Sequence, residues 1–358
     1  MVAPPSEPTR QPPSADAASV TLVTDRADLD ALSAPWEELR QRAEASPFLG
    51  PTLYRAWLEE LGGSSTPRLV AVESAGRLVA LAPWARRGPL AFSVPGRTRV
   101  AGELLAEPAV ATVAWRLVLD AALGGRVAAV LVPHATDDEL GIEGALAAAA
   151  ELGLPARAAP RYKRFRLRPE GTYEDHLATW TKDRRRVVTR TRKRLEAQGE
   201  LRFRAVPAAE GYDAVRAIHI RQWTPEETIE WVHTDAGTRI DRRLVAALDS
   251  TVLLLELDGR PLAGALWFDT GGTRTCVYLV RDPDVTSGSP GRLMHAEIVR
   301  RAYEDGVRRM DWMGIGGRKE VLGIEEHVGY ELLVGARGPL GRGAVALRGA
   351  EQRLRARG

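Results

Sequence analysis

The sequence predicts an α/β (α+β) fold built twice, as two domains of about 140 residues each joined by a basic helix. Three observations carry that expectation. Both halves run strand, two helices, hairpin, then strand–helix–strand. The two hairpins, ESAGRLVALAPW (Glu73–Trp84) and ELDGRPLAGALW (Glu256–Trp267), align without a gap at an offset of 183 residues and match at six of twelve positions. A turn explains the shared Gly76/Gly259 and Arg77/Arg260, but not the shared Glu73/Glu256 or Trp84/Trp267, which point to an ancient duplication. Finally, 358 residues with 44% hydrophobic and 27% charged side chains are an ordinary globular balance, enough for two or three domains. That balance excludes a coiled coil, a disordered scaffold and a collagen-like chain.

The elements follow in order. Residues 1–18 hold five prolines and no apolar h-region, so they read as a disordered tail without a secretory signal. Thr21–Thr24 is a short strand. Apolar residues at 29, 32, 36, 39 and 43 give Asp28–Ala45 the spacing of an amphipathic helix. A second helix, Leu53–Leu61, stops at Gly62-Gly63. Arg68–Glu73 and Leu78–Pro83 flank a turn and form the first hairpin. Helices near 109–123 and 138–152 sandwich a strand at 127–132. A basic helix over about 172–198 opens with the capping pattern Thr172-Tyr173-Glu174-Asp175.

In the second half Leu201–Val206 is a strand, and Ala208–Trp223 and Arg239–Leu248 are helices. Thr251–Leu257 and Pro261–Phe268 pair around Asp258-Gly259, a type I′ signal. Arg274–Val280 is a strand, Pro290–Glu304 a helix and Arg309–Trp312 a strand. The expected domains are 19–165 and 200–340, with 166–199 as basic helical linker and 341–358 as a basic tail or helix.

Charge and cysteine content narrow the function. Fifty Lys+Arg against 47 Asp+Glu give a net charge of +3, which alone argues for no nucleic-acid partner, and no DNA binding is expected. The single cysteine, Cys276, leaves no disulfide framework and no Cys-rich zinc site. His233, His295 and His327 lack metal-ligand spacing, so no metal is predicted. The most apolar stretch, Leu117–Val132, is cut by Asp120, Gly124, Gly125 and Arg126 and does not span a membrane. A cytoplasmic protein is expected.

The order of elements is that of the GNAT acyltransferase fold, and the pattern resembles the FemAB/CelD-like branch of that superfamily, also called the BioF-type acetyltransferase domain. The matching pieces are Trp36, Leu39, Ser46-Pro47-Phe48 and Trp57 with the hairpin ending Leu81-Ala82-Pro83; the basic run RRRVVTRTRKRLEAQGELRF; His219, Arg221 and Trp223; and VYLVRDPDVTSGSPGRLMHAEIVRRAYEDG followed by MDWMGIGGRKE. Together they cover most of residues 20–335. The resemblance implies two tandem GNAT-like domains, each a mixed, mostly antiparallel sheet flanked by helices. It also implies transfer of an acyl group from acyl-CoA to an amine. Two departures stand out. The family's usual phosphate loop is replaced by Ser287-Gly288-Ser289-Pro290-Gly291-Arg292, and its aromatic-Lys pair is here Arg318-Lys319. The donor therefore stays open between acyl-CoA and aminoacyl-tRNA, as in the Fem peptidyltransferases. A degenerate, non-catalytic tandem module for envelope polysaccharide synthesis is the third reading.

The candidate site residues follow. Ser289 at the N-cap, Pro290 at the first helical position, Gly291 and Arg292 make a helix start suited to a phosphate, or equally a plain capped helix. The strand carrying Leu279 and Tyr278 splays in the family fold and offers backbone groups to a pantetheine or aminoacyl arm; Tyr278, a candidate catalytic residue with Asp311 and Lys319, by alternation shares a face with Cys276 and Val280. Cys276 has no histidine placed beside it, and direct transfer needs no nucleophile. Asp311, ending a strand before Gly314-Ile315-Gly316-Gly317, is a general base or amine-orienting group, or a cap for the next turn. Lys319 is an oxyanion or phosphate partner, or a solvated lysine. Arg221 and Trp223 lie two apart and do not share a face; Trp223 walls the cleft or packs, and His219 sits on a polar face. Between Lys182 and Arg194 lie eight basic residues and one acid. Lys182, Arg186, Arg190 and Lys193 form one stripe and Val188, Thr191 and Leu195 its apolar back, making a solvated face or a ridge for a phosphate-rich partner such as tRNA. The working site is expected in the second domain, because the first has only Leu90–Ala101 in the equivalent region. The amine acceptor is a small molecule or a cell-envelope precursor.

Overall fold

The computed structural model describes residues 18–94, 104–138, 140–224, 230–285, 289–312 and 324–355, so that the expected tail before Ala18 lies outside the described residues. The first half contains β1 (Ala18–Val23), α1 (Asp28–Arg42), α2 (Pro51–Glu60), β2 (Thr66–Ser74), β3 (Arg77–Arg87), β4 (Leu90–Ser93), β5 (Leu105–Ala106), α3 (Ala111–Ala122), β6 (Ala129–Ala135), α4 (Ile142–Glu151) and β7 (Ala156–Leu167). Between the halves lie α5 (Tyr173–Thr179) and α6 (Lys182–Glu196). The second half contains β8 (Leu201–Pro207), α7 (Ala208–Gln222), α8 (Asp235–Ala247), β9 (Ser250–Leu257), β10 (Arg260–Thr270), β11 (Thr273–Arg281), α9 (Pro290–Glu304), β12 (Arg309–Trp312), β13 (Glu325–Gly335) and α10 (Pro339–Arg355).

The strands form one sheet in the order β1-β2-β3-β4-β6-β13-β7-β12-β11-β10-β9-β8, with β5 on β3. The pairs are antiparallel except β4 with β6 and β11 with β12. Each half thus repeats a meander followed by one parallel pair, the two GNAT-like units expected. The units are stitched by exchange. The last strand, β13, lies between β6 and β7 of the first half, and β7 in turn pairs with β12 of the second. The expected domain edge at 165/166 falls inside β7.

The duplication is visible in the turns. Ala75 and Gly76 have φ of 51° and 72°, and Asp258 and Gly259 have 49° and 78°, so both hairpins close through the left-handed pair that a type I′ turn requires. Trp84 and Trp267 are both buried on the sheet face covered by the third helix of their own half. Trp84 lies against Trp115 of α3, and Trp267 packs in the cluster that includes Leu293 and Met294 of α9. The opposite face carries one core shared by both halves, where α1 and α2 meet α7 and α8, and Phe48 contacts Phe268 edge-on at 5.2 Å. Arg239 and Arg243 of α8 pair with Glu60 and Glu59 of α2 across the same interface.

Three sequence expectations change. The basic segment is two helices rather than one. Thr172 makes the expected capping box with Asp175, but Trp180 turns extended (ψ 145°) to bury its ring, and Thr181 then caps a new helix by accepting from Arg184 N–H. The alternation along β11 breaks at Val277, because Leu266 faces Tyr278 while Trp267 faces Cys276. That bulge puts Cys276 in the α9-side core and Tyr278 with Val280 in the α7–α8 core, on opposite faces. His219 is buried rather than on a polar face, lying edge-on to Tyr278 at 5.1 Å, because it follows Tyr212, Val215 and Ile218 on the inner side of α7. No helix among the described residues is long and apolar enough to cross a membrane.

Candidate functional site

β11 and β12 pair in parallel from Thr273/Arg309 to Cys276/Trp312, the last described residue of β12. Past the bulge, β11 keeps its ladder to β10 as far as Arg281. Asp282 N–H, just past the strand, donates to Leu262 O on β10, whereas Arg281 N–H turns away and is capped by Gln222 Oε1 at 2.7 Å. Because N–H and C=O directions alternate along a strand, Leu279 directs its backbone groups to the same edge as Arg281. Its side chain packs on the α9-side core.

The N-terminus of α9 closes the far end of this edge. Ser289 is the N-cap and Pro290 the first helical residue, as expected, but the Ser289 hydroxyl makes no capping bond. Pro290 has no N–H, and Arg292 and Leu293 donate to Ser289 O at 2.8 and 3.2 Å, so Gly291 N–H is the first-turn donor that the missing side-chain cap leaves for an anion. Gly291 lies 3.5 Å, by the position a Cβ would take, from Arg281 Cδ. Arg292 is exposed, and on α6 the guanidinium of Arg184 lies above the Trp180 ring at 5.5 Å. Arg184 is held below the usual arginine value, first by burial and then by the like charge of Arg292. Two mutually repelling guanidiniums at a helix N-terminus are relieved by an intervening anion.

Arg221 sits at the C-terminal end of α7. It and Arg260 both point at Asp282, whose carboxyl is fully buried; burial would raise its pKa, but the Arg260 bond at 2.7 Å and the nearby charges hold it below the ordinary value. Arg221 therefore braces the loop before α9, and Trp223, half-buried, caps α7. Along α6, Lys182, Arg186, Arg190 and Lys193 are exposed while Thr191 and Leu195 are buried, so the ridge has the orientation its spacing predicts.

Asp311 lies elsewhere. It pairs with Thr275 on β11 and Arg166 on β7, six residues back along β11 from Arg281 and so about 20 Å from the α9 end at the rise of a strand. One of its oxygens accepts from Arg166 Nε at 3.0 Å and the other lies 3.2 Å from Arg309 Nε. Burial pushes Arg166 down, but the charge and hydrogen bond of Asp311 outweigh it and hold the guanidinium above its usual value. Tyr278, offered by the sequence as catalytic, donates to the buried Asp241 Oδ2 at 3.2 Å beside Tyr212, which donates to the same oxygen at 2.5 Å. Lys319, Ser287, Gly288 and Gly314–Gly317 lie outside the described residues. Sequence reasoning missed Arg184, Gln222, Arg281 and Arg166 as neighbours of the site; only the packing of α6 and α7 against β11 and α9, and of β7 against β12, brings them there. Among the described residues, no group of three or more His, Cys, Asp or Glu is placed to hold a metal ion.

Residues 182–323 match the family model described as an acetyltransferase (GNAT) domain. No curated protein matches the sequence. Among solved structures, FemX superposes at a TM-score of 0.58 with 12% identity, covering 88% of this chain and 96% of FemX. L-PGS from Bacillus licheniformis gives 0.55 with 14% identity, covering 94% and 98%. The C-terminal domain of a putative lysylphosphatidylglycerol synthetase from Agrobacterium fabrum gives 0.53 with 12% identity, covering 89% and 95%. At these identities the likeness is one of fold. Residues 182–323 thus resemble a GNAT acetyltransferase domain, and the chain as a whole shares the fold of FemX.

Proposed function

We propose that the protein is an N-acyltransferase that moves an acyl group from acyl-CoA to an amine in a cleft along β11. The observation that supports this most is the α9 N-terminus, with Arg292, Arg184 and Arg281 gathered about it, at the end of β11. The residues fit a donor with a phosphate at one end and a thioester at the other. Ser289, Gly291 and Arg292 hold the phosphate, and the backbone of Leu279 aligns the arm. The amine nitrogen attacks the carbonyl carbon, the C–S bond breaks, the amine proton passes to water, and the thiolate takes a proton. Asp311, with both oxygens engaged by Arg166 and Arg309, acts as an orienting group rather than as a base.

A second reading has its own observation. The exposed ridge Arg186, Arg190 and Lys193 lies on the helix whose first turn meets α9, so a polyanion held at α9 extends naturally along it. An aminoacyl-tRNA donor fits that surface, with a cell-envelope precursor as amine acceptor. FemX and L-PGS share the fold, which makes this the rival to test.

Calorimetric titration with acetyl-CoA and free CoA at low salt separates the two. Micromolar binding that weakens about tenfold in Arg292→Ala is expected, the loss of one charge-assisted bond. No binding by folded protein overturns the acyl-CoA reading. Binding of tRNA that falls steeply with salt, and less steeply in the Arg186→Ala/Arg190→Ala/Lys193→Ala variant, would then carry the second.

A further inference from the structure

Where the two units are stitched together, a pocket lies across the ends of β6, β13, β7 and β12, lined by Thr136, Asp137, Arg164, Arg166, Asp311 and His327. Cross-strand pairing explains the grouping. Arg164 faces His327, and Arg166 faces both Glu325 and Asp311, so these side chains stand on one face of the sheet. The opposite face at this level is apolar, with Phe165, Met310 and Trp312 in the core under α9.

The charges in the pocket are not evenly satisfied. Asp311 takes Arg166 and Arg309, and His327 Nε2 lies 3.4 Å from Glu325. Thr136 donates to Asp138. Asp137 is exposed at the rim. Arg164 Nη1 is buried and meets no hydrogen-bond acceptor, and neither His327 Nε2 opposite it nor Arg309 Nε makes a hydrogen bond at its ion-pair distance. A buried guanidinium nitrogen without an acceptor is costly to keep, and natural proteins keep such groups where something else completes them.

We propose that this pocket takes a carboxylate of the acceptor, bound by Arg164. The proposal rests on the acyltransferase reading for its role and on the pocket alone for its chemistry. A guanidinium fork matches a carboxylate in shape and charge. Asp137 at the rim and Asp311 in the wall disfavour a doubly charged phosphate and leave room for a singly charged anion. The position suits an acceptor. Asp311 stands one residue before the last described β11–β12 pair, and neighbouring strands are about 4.8 Å apart, so a carboxylate at Arg164 lies two strands from β11, along which the proposed cleft runs. An amine a few bonds from that carboxylate reaches that cleft. The substrate class is therefore an amine that also bears a carboxylate, such as an amino acid or a peptide terminus.

The test needs no turnover. Acetate and inorganic phosphate are titrated into the full-length protein and followed by backbone NMR, with wild type, Arg164→Gln, Arg164→Lys and Arg292→Ala compared. Acetate is expected to shift resonances of β7 and β13, with affinity lost at least tenfold in Arg164→Gln, partly kept in Arg164→Lys and unchanged in Arg292→Ala. Phosphate is expected to act at α9 and to respond to Arg292→Ala instead. The proposal is overturned if acetate leaves β7 and β13 unmoved, if Arg164→Gln binds it as wild type does while its spectrum shows an intact fold, or if phosphate outcompetes acetate at this pocket. Failure of acetyl-CoA to bind would sink the donor reading and leave this result untouched.

Discussion

Glu331 offers a quantitative check on how α10 is held to β13, the strand shared by both units. Its side chain is 3% exposed. It accepts from Arg348 Nε and Nη2, each at 2.7 Å, and from Gln352 Nε2 at 2.8 Å, with Arg161 a further 3.6 Å away. Removing one partner of a fully buried pair costs about 3–5 kcal/mol, because the other charge is stranded. Arg348 is 25% exposed and also pairs with Glu351, so solvent and that second carboxylate lower the figure for Glu331→Gln to about 2 kcal/mol.

The pH dependence has a definite sign. Burial would raise the carboxyl of Glu331, but the Arg348 bond and the surrounding charges hold it below its ordinary value of 4.5. Its contribution is therefore fully present above about pH 4.5 and is lost as the pH falls through the lower folded value. Urea unfolding of wild type and Glu331→Gln at neutral pH and in acid, below the folded value, measures both effects. A gap of about 2 kcal/mol at neutral pH that narrows in acid is expected. A gap below about 0.5 kcal/mol, the size of an exposed pair, or one that stays constant with pH, would refute the ion-pair account of how α10 docks.

Two further outcomes follow from packing and hydrogen bonding. Gly211 of α7 faces β9 and β8 so closely that a Cβ there would stand 2.6 Å from Val252 Cγ1 and 2.8 Å from Val206 Cγ2. Gly211→Ala should destabilise by about 1–3 kcal/mol despite its better helix propensity, and a denaturation midpoint at or above wild type would show that the helix can back away. Tyr278→Phe should cost about 1 kcal/mol of stability by deleting the bond to Asp241 and leave CoA affinity unchanged; a tenfold loss of affinity at unchanged stability would place the hydroxyl at the ligand instead.

Much of this protein was legible in its sequence because the signals were local. Pro290 at a helix start, Asp258-Gly259 at a turn and the stripe of α6 are set by backbone sterics and 3.6-residue periodicity, and α9 and β12 have the predicted bounds. The repeated hairpin announced the duplication. What alternation could not give was the β11 bulge. One extra residue reverses every later side chain, so the face expected for Tyr278 was wrong relative to Cys276.

The two-unit α/β plan, the proline-led start of α9 and the direction of the basic ridge can all be read from the order of the residues. Where the units join cannot. β7 carries Arg157, Arg161, Lys163, Arg164 and Arg166, with Pro160 at its middle, and shows little strand signal of its own. Its partner β13 is remote in the chain: the paired Lys163 and Glu326 stand 163 positions apart. The pairing is stabilised by contacts that neither segment can make alone. That long-range ladder brings Arg164 and Arg166 of the first unit to Asp311 of the second, and with them the pocket beside the cleft. Side-chain chemistry is written residue by residue, but which charges remain without a partner is settled by what the folded sheet sets opposite them.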